Sequence, residues 1–506
     1  MASITVTMRP ANALSHKTMN RNTGSFPGPF SQSLILCFVL LIFSPPLSAQ
    51  QPWTLQDCID HALQHNLDIR HQRLQSERTG HDVYQSYAMV LPSFDASSGA
   101  GLRFGRSVDE VTNEIFTERL ASHRIHADGS MRLFAGFQTI NNIRYNLSRQ
   151  TAVRHDTRSM ENDLILTIAN AFLQILYFED MVEVAREQLE LSRQQVDKTR
   201  ILFEGGTVSR GNLLEMEAVA AEDEVRYTAA QNHLNLSYIE LTYLLELDPE
   251  EPFSIARPNT LDVEESQVLQ DPAVIADRAM RIEPTVAAAR ERITMAERYV
   301  DITRGRRWPG LSLNGGYQTA YSEAFTRVVN EGGGNGEAAM MAFGMPVRHP
   351  DPGHRDNQPE IIREVIPYRE QIRDNYSFTV QFVLRVPIFN NWQVRNSIQQ
   401  SRIDLEQARL GYERSRNNLG QVIHQAHADA LAAYKEYMSY NKSLEAARES
   451  YAFSEQGFAL GLVSSLELNE AKARLNRAEV SALQSVYEFV FKTKILEFYQ
   501  GEGFVL

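Results

Sequence analysis

Cysteine is almost missing from this chain. Of 506 residues two are cysteine, Cys37 and Cys58. Cys37 falls in a leader expected to be removed, so Cys58 is left alone and no internal disulfide forms. Leu36 ahead of Cys37 is too large for a lipoprotein cleavage site. Positive charge is also in deficit, 50 Lys and Arg against 63 Asp and Glu, a net charge of −13. That balance argues against nucleic acid as a partner. Apolar runs of the ~20 residues that span a bilayer as a helix are missing too. The run Leu34–Phe43 has ten. It follows Arg9, Lys17 and Arg21 and precedes the small-residue site Leu47-Ser48-Ala49, the pattern of a secretory signal over residues 1–49, with Met19 as an alternative start. The leader carries those three basic residues and no acidic one, so its removal takes the net charge from −13 to −16.

Catalytic signatures are missing as well. Gly332–Gly336 has no strand–helix context and no Lys-Ser/Thr, so it is no phosphate cradle. His61 and His65 lie four apart on a helix, as do zinc-binding pairs, but no third ligand is in sight. His424 and His427 read the same way. Both read as surface pairs, and the sequence implies no enzyme, no metal and no cofactor.

Glycine and proline are absent from one long stretch, Phe137 to Glu204, and the chain is organised around it. Apolar residues recur there every seven positions: Ile168, Ile175, Val182, Leu189, Val196 and Phe203. Three positions later come mostly small ones: Ala171, Phe178, Ala185, Ser192 and Thr199. A seven-residue beat keeps one seam of a helix against a partner, and small residues let backbones approach. Sixty-eight helical residues reach roughly 100 Å. Gly205-Gly206 ends the helix, and residues 212–248 run back with Leu213, Ala220, Tyr227, Leu234 and Leu241 on the same beat.

Before that stretch the period is two. In 94–104, Phe94, Ala96, Ala100, Leu102 and Phe104 alternate with Asp95, Ser97, Gly99, Gly101 and Arg103. In 121–133, Ala121, Ile125, Ala127, Met131 and Leu133 alternate with a wholly polar face, Ser122, Arg124, His126, Asp128, Ser130 and Arg132. These predict two strands, about 93–107 and 120–133, each with one apolar and one polar face.

The programme then recurs. Asn66-Leu67 and Leu91-Pro92-Ser93 have counterparts 217 residues on, at Glu283-Pro284 and Trp308-Pro309-Gly310. Leu133-Phe134 and Phe203/Gly206 have counterparts 255 residues on, at Ile388-Phe389 and Phe458/Gly461. The difference of 38 is an insertion within Tyr321–Asn375, rich in Gly, Pro and charge, which suits an exposed loop. Strands are expected at about 311–321 and 376–387. The second pair of long helices carries Ile423, Ala430, Tyr437, Leu444, Tyr451 and Phe458, then Leu468, Leu475, Ala482, Phe489 and Leu496. The expected organisation is a leader (1–49), a first repeat (50–247), a Pro-marked linker (248–272) and a second repeat (273–506).

Four two-faced strands cannot close a barrel alone, because single-chain bacterial barrels use at least eight. An open sheet edge is not tolerated in a bilayer, so other copies must complete it. The fold class expected is therefore mainly α-helical with a membrane β-barrel, built from a duplicated helix–β-hairpin–long-helical-hairpin unit. A structural or adhesive coiled-coil envelope protein is the competing reading.

The ordered set Ala62-Leu63…Asn66, Leu91-Pro92-Ser93, Leu133-Phe134-Ala135-Gly136, Phe203-x-x-Gly206 and Phe458-x-x-Gly461 resembles the TolC-like outer-membrane efflux protein family, over nearly all of residues 53–500. The resemblance implies a homotrimer with a twelve-stranded outer-membrane barrel and a periplasmic α-barrel. It implies a passive export duct of an efflux or type I secretion system. Its partners would be outer-membrane lipid, a periplasmic adaptor (membrane fusion) protein and an inner-membrane transporter of the RND or ABC class. It places a tunnel-entrance constriction at Glu467 and Glu470, with Asn212 and Glu215 as counterparts. It places adaptor-docking turns at Gly206, Thr207 and Val208 and at Gly461, Leu462 and Val463. The chain departs from the family at Asn390-Asn391, where glycines are usual and polar helix-initiating residues are expected to serve. It departs again at Leu462, where a basic residue is common, and at Phe458, which lacks a hydroxyl.

Overall fold

The computed structural model describes residues 52–108, 115–116, 119–250, 252–258, 270–329, 362–460 and 462–504. The expected leader, the centre of the linker, most of the insertion and Gly461 lie outside the described residues. In chain order the elements are α1 (Leu55–His65), α2 (Leu67–Ala88), β1 (Ser93–Arg103), β2 (Ser107–Val108), β3 (Ile115–Phe116), β4 (Leu120–Ala135), α3 (Gln138–Glu204) and α4 (Arg210–Leu244). They continue as α5 (Pro272–Ile282), α6 (Pro284–Gly305), β5 (Gly310–Ser322), β6 (Thr326–Val329), β7 (Ile362–Val365), α7 (Tyr368–Asp374), β8 (Ser377–Arg385), α8 (Gln393–Ala459) and α9 (Ser465–Tyr499).

The two series match in length. Both outgoing helices have 67 residues and both returning helices 35. Both short helices have 11 and both entry helices 22. The chain between β1 and β4, expected as a plain polar connection, carries the small ladder β2–β3.

β1, β4, β5 and β8 form one antiparallel sheet in the order β1-β4-β5-β8. In one chain this sheet is open, with β1 and β8 as its edges. Ser97 faces His126, Ser130 faces Asn314 and Asn314 faces Gln381, so the polar positions of all four strands share one side. Every charged side chain of these strands lies on it: Asp95, Arg103, Arg124, Asp128, Arg132 and Arg385. The other side presents Phe94, Leu102, Phe378, Val380, Phe382 and Leu384, each more than half exposed. Apolar surface of that extent is not left in water.

The passage from strand to long helix is tight. A register shift between Arg132 and Phe134 inserts Leu133 as an extra residue near the end of β4. Gly136 and Phe137 then take φ of 59° and 63°, and Asn391 and Trp392 take 51° and 61° at the equivalent place. This corrects the expectation for Asn390-Asn391. Asn391 does not cap the helix; it adopts the left-handed backbone that Gly136 adopts in the first repeat, a conformation asparagine tolerates. The position before each helix is filled by an aromatic residue with no side-chain cap bond. Such backbone costs about 1–3 kcal/mol and persists only where packing fixes it. Phe137 packs edge-on to Phe134 at 5.4 Å, and Arg395 lies 4.5 Å over the Trp392 ring.

Two apolar clusters hold the helices together. The first joins Cys58, Ile59 and Ala62 of α1 to Ile168, Phe172, Ile175 and Leu176 of α3. The second joins Ile275, Ala276 and Ala279 of α5 to Ile423 and Ala430 of α8. α9 serves both, with Val490 in the first and Phe489 in the second. By length and composition α3 passes as a membrane span. Its apolar residues are instead the centre of the first cluster. Cys58 is fully buried there, and burial pushes its thiol up to about 12.

Gly305, at the end of α6, meets Gly136. A Cβ added at Gly305 would lie 2.5 Å from the Gly136 carbonyl and 2.6 Å from Cγ of Gln138. The Gly305→Ala variant is therefore expected to lose about 1–3 kcal/mol, seen as a lower melting temperature of the purified protein.

Candidate functional site at the hairpin tips

Both long hairpins turn the same way. In the first, Gly206 at φ 75° lets its own amide donate to Phe203 and the Thr207 amide donate to Leu202, each at 2.9 Å. In the second, the Leu462 amide donates to Gly457 at 2.9 Å. Ser209 and Ser464 then cap the returning helices with nearly identical backbone, φ −77° with ψ 158° and 159°. Thr207 and Leu462 are exposed, while Val208 and Val463 are half-buried.

The four entrance residues have different surroundings. Asn212 takes a hydrogen bond from Ser209 Oγ through its side-chain oxygen at 3.0 Å, while its amide donates to Ser209 Oγ at 3.3 Å. Glu467 completes a capping box: its carboxylate accepts from the Ser464 amide at 3.1 Å, and its own amide donates to Ser464 Oγ at 3.2 Å. Glu215 reaches across to the second hairpin, accepting from Ser465 Oγ at 3.0 Å and Asn469 Nδ2 at 3.1 Å. Glu470 is exposed and has no ion-pair partner among the described residues.

Further from the tip is a group that the sequence reading missed. Lys472 of α9 reaches Asp223 of α4 at 2.8 Å, and both also contact Ser192 of α3. The Lys472 and Asp223 side chains are 9% and 2% exposed, so the pair is buried. Arg226 Nη1 holds the second Asp223 oxygen at 3.2 Å. The beat expected on the returning helix α4 ran through Leu213, Ala220, Tyr227, Leu234 and Leu241. Leu241 is buried, the other four are half-buried, and toward the tip the buried positions are Met216, Asp223, Ala230 and Ser237. A carboxylate thus occupies a seam position, and its partner comes from the other repeat. More links run along the same junction: Gln188 Nε2 to Glu479 at 2.7 Å, and the Tyr487 hydroxyl to Asp180 at 2.6 Å. Burial raises the Glu479 carboxyl above its ordinary range, against the Gln188 bond and the Arg448 charge.

These tips belong to a recognisable assembly. The family described as outer membrane efflux protein matches residues 58–245 and 275–489. The chain belongs to this family. As an outer-membrane efflux channel it has remote relatives in sequence. It is 20% identical over 346 residues to the outer membrane protein TolC of Vibrio cholerae serotype O1, covering 68% of each chain. Among solved structures, CusC superposes with a TM-score of 0.70 at 15% identity, over 89% of this chain and 92% of that one. VceC of Vibrio cholerae gives 0.65 at 15%, over 89% and 97%. The open state of the Neisseria gonorrhoeae MtrE outer membrane channel gives 0.67 at 16%, over 89% of each. The family consists of channel proteins.

In this efflux channel Lys472 is a buried cation joining the two hairpins, and the more exposed Lys198 also spans them, 3.9 Å from Glu455. Removing one partner of a buried pair costs about 3–5 kcal/mol, whereas an apolar replacement of both is often close to neutral. Lys472→Ala should therefore speed hydrogen–deuterium exchange in peptides covering 205–225 and 462–475. The double variant Lys472→Met with Asp223→Leu should return it most of the way to wild type. Unchanged exchange in Lys472→Ala would mean the pair does not hold the hairpins.

Proposed function

We propose that three copies of this efflux channel close their sheets edge to edge into a twelve-stranded barrel, continued into the periplasm by a tunnel of paired helices. The observation that carries this reading is the two-faced open sheet. One side is apolar and free of charge, the other holds all of the strands' charges, and both edges are unpaired within one chain. Lipid covers the first side. Water fills the space on the second. Edge strands in a bilayer demand partners, and three sheets of four give an even, closed set. The hollows of the sheet support the same sidedness, since those around Arg124 and His126 are lined mainly by residues of the polar face.

The duct is passive. It works with a periplasmic adaptor, which meets the turns at Gly206–Val208 and Gly461–Val463, and with an inner-membrane transporter of the RND or ABC class that supplies the energy. The chain reads as a leader (1–49), two repeats (50–247 and 273–506) and a linker between them. At the tunnel entrance, Glu470 supplies the ring of free carboxylates around the axis. Glu467 lies beside it with its charge engaged at the helix cap, Asn212 is held to Ser209 within its own turn, and Glu215 ties the two turns together. Rings of carboxylates favour cations and bind multivalent ones.

Purified protein in planar bilayers tests this directly. It should form ion-conducting channels and cross-link as a trimer in native membranes; monomer alone, or a silent bilayer, would overturn the duct. Glu470→Gln should relieve block by a trivalent cation added from the tip side and lower cation preference, with trimer yield unchanged. Wild-type block in that variant would place Glu470 away from the axis.

A further inference from the structure

At the foot of the sheet, where β4 and β8 end and β5 begins, lies a hollow of about 520 Å³. Arg132 of β4, Arg385 of β8 and Arg306 of the link between α6 and β5 all line it, beside Ser130, Ser312 and Asn314. No Asp or Glu lines it. Among the described residues none of the three arginines has an ion-pair partner. By contrast, three of the four arginines of α6 are paired, Arg292 with Asp156 and both Arg298 and Arg304 with Asp301. The reason is not a shortage of acid, because the whole chain carries 63 acidic residues against 50 basic ones.

Three exposed guanidiniums lining one acid-free hollow give it a positive potential that draws anions. Each presents a planar fork of donors that fits the oxygens of a phosphate, carboxylate or sulfonate. Hydroxyl and amide donors from Ser130, Ser312 and Asn314 surround the same space. Arg132, Arg385 and the three polar residues belong to the polar side of the sheet.

We infer that this hollow binds oxyanions, and that Arg132, Arg306 and Arg385, repeated in each copy, form an anion-concentrating collar where the helical tunnel enters the barrel. The inference rests on the reading above that the polar side lines the lumen. It gives the helical tunnel opposite charge at its two ends, and it makes anionic solutes the class favoured where the tunnel meets the barrel. The same chemistry would hold the phosphate of a phospholipid headgroup if the hollow opened toward lipid.

Inorganic pyrophosphate is the probe. Calorimetric titration of the detergent-purified trimer should show saturable binding, weakened about tenfold or more in Arg132→Gln with Arg306→Gln and Arg385→Gln. The corresponding triple lysine variant keeps the charge and loses the fork, and should fall between the two. In bilayers of neutral phosphatidylcholine, pyrophosphate should reduce wild-type current. The reversal potential of the glutamine variant should move toward cations. Should that variant fail to form trimers, Arg306→Gln alone, off the strands, keeps the titration decisive. No binding to wild type, or equal binding to wild type and variants, overturns the site. Retention of phosphatidylglycerol by wild type but not by the variant, without pyrophosphate binding, overturns the lumen placement and assigns the arginines to a headgroup. Arginine-dependent pyrophosphate binding by a protein that passes no current leaves the collar standing and removes the duct.

Discussion

A backbone amide or carbonyl in hydrocarbon has no water to turn to, and the rest of this architecture follows from that constraint. One chain supplies four strands, and its sheet ends in two unpaired edges. In the proposed assembly neighbouring copies satisfy these edges, so the requirement for assembly arises in the sheet before any helix is considered. In that proposed ring the helices launched from the sheet surround the axis. Their seams then determine how closely the wall is packed and how far it reaches.

The launch itself is a sharp change of direction. A strand must stop, turn and become a helix of 67 residues within two or three positions. Left-handed backbone at Gly136–Phe137 and Asn391–Trp392 does this in both repeats, and the close contact of Gly136 with Gly305 fixes where the entry helix meets the outgoing one. Toward the other end polar groups also join the hairpins. Glu215, Asp223, Lys472 and Glu479 all sit between the two repeats. Apolar packing joins the hairpins through Tyr487 and Val490 in the first cluster, and hydrogen bonds and ion pairs add to it nearer the tips. Polar contacts have stricter geometry than apolar ones, so a small sliding movement breaks them together.

Much of this was legible in the sequence because its signals are periodic. The alternation from Phe94 and from Ala121 places the strands to within a few residues, and the two-fold recurrence of Phe-x-x-Gly locates both tips. What remained hidden depends on pairing across long separations. Asp223 and Lys472 are 249 residues apart, and neither has a neighbour in sequence that announces the other. On α4 the beat from Leu213 meets the core at Leu241, but toward the tip the buried positions lie three residues on, at Met216, Asp223, Ala230 and Ser237, which look less apolar than Leu213, Ala220 and Tyr227. Glu467 shows the same limit. Its spacing from the turn gives the family position, but only the structure shows its carboxylate bonded to the Ser464 amide. Arg132, Arg306 and Arg385 stand on three separate segments, and only the sheet register brings them to one hollow.

The buried Cys58 makes this channel convenient to label. Its thiol is sealed in the first apolar cluster and held at about 12, so almost none of it is thiolate at neutral pH. Among the described residues it is the one sulfhydryl. A cysteine introduced at any exposed position, on a tip or along the lumen, would therefore be modified against a silent background. Spin labels and fluorophores could then be attached without first replacing a native residue, and the width of the tunnel followed as it changes.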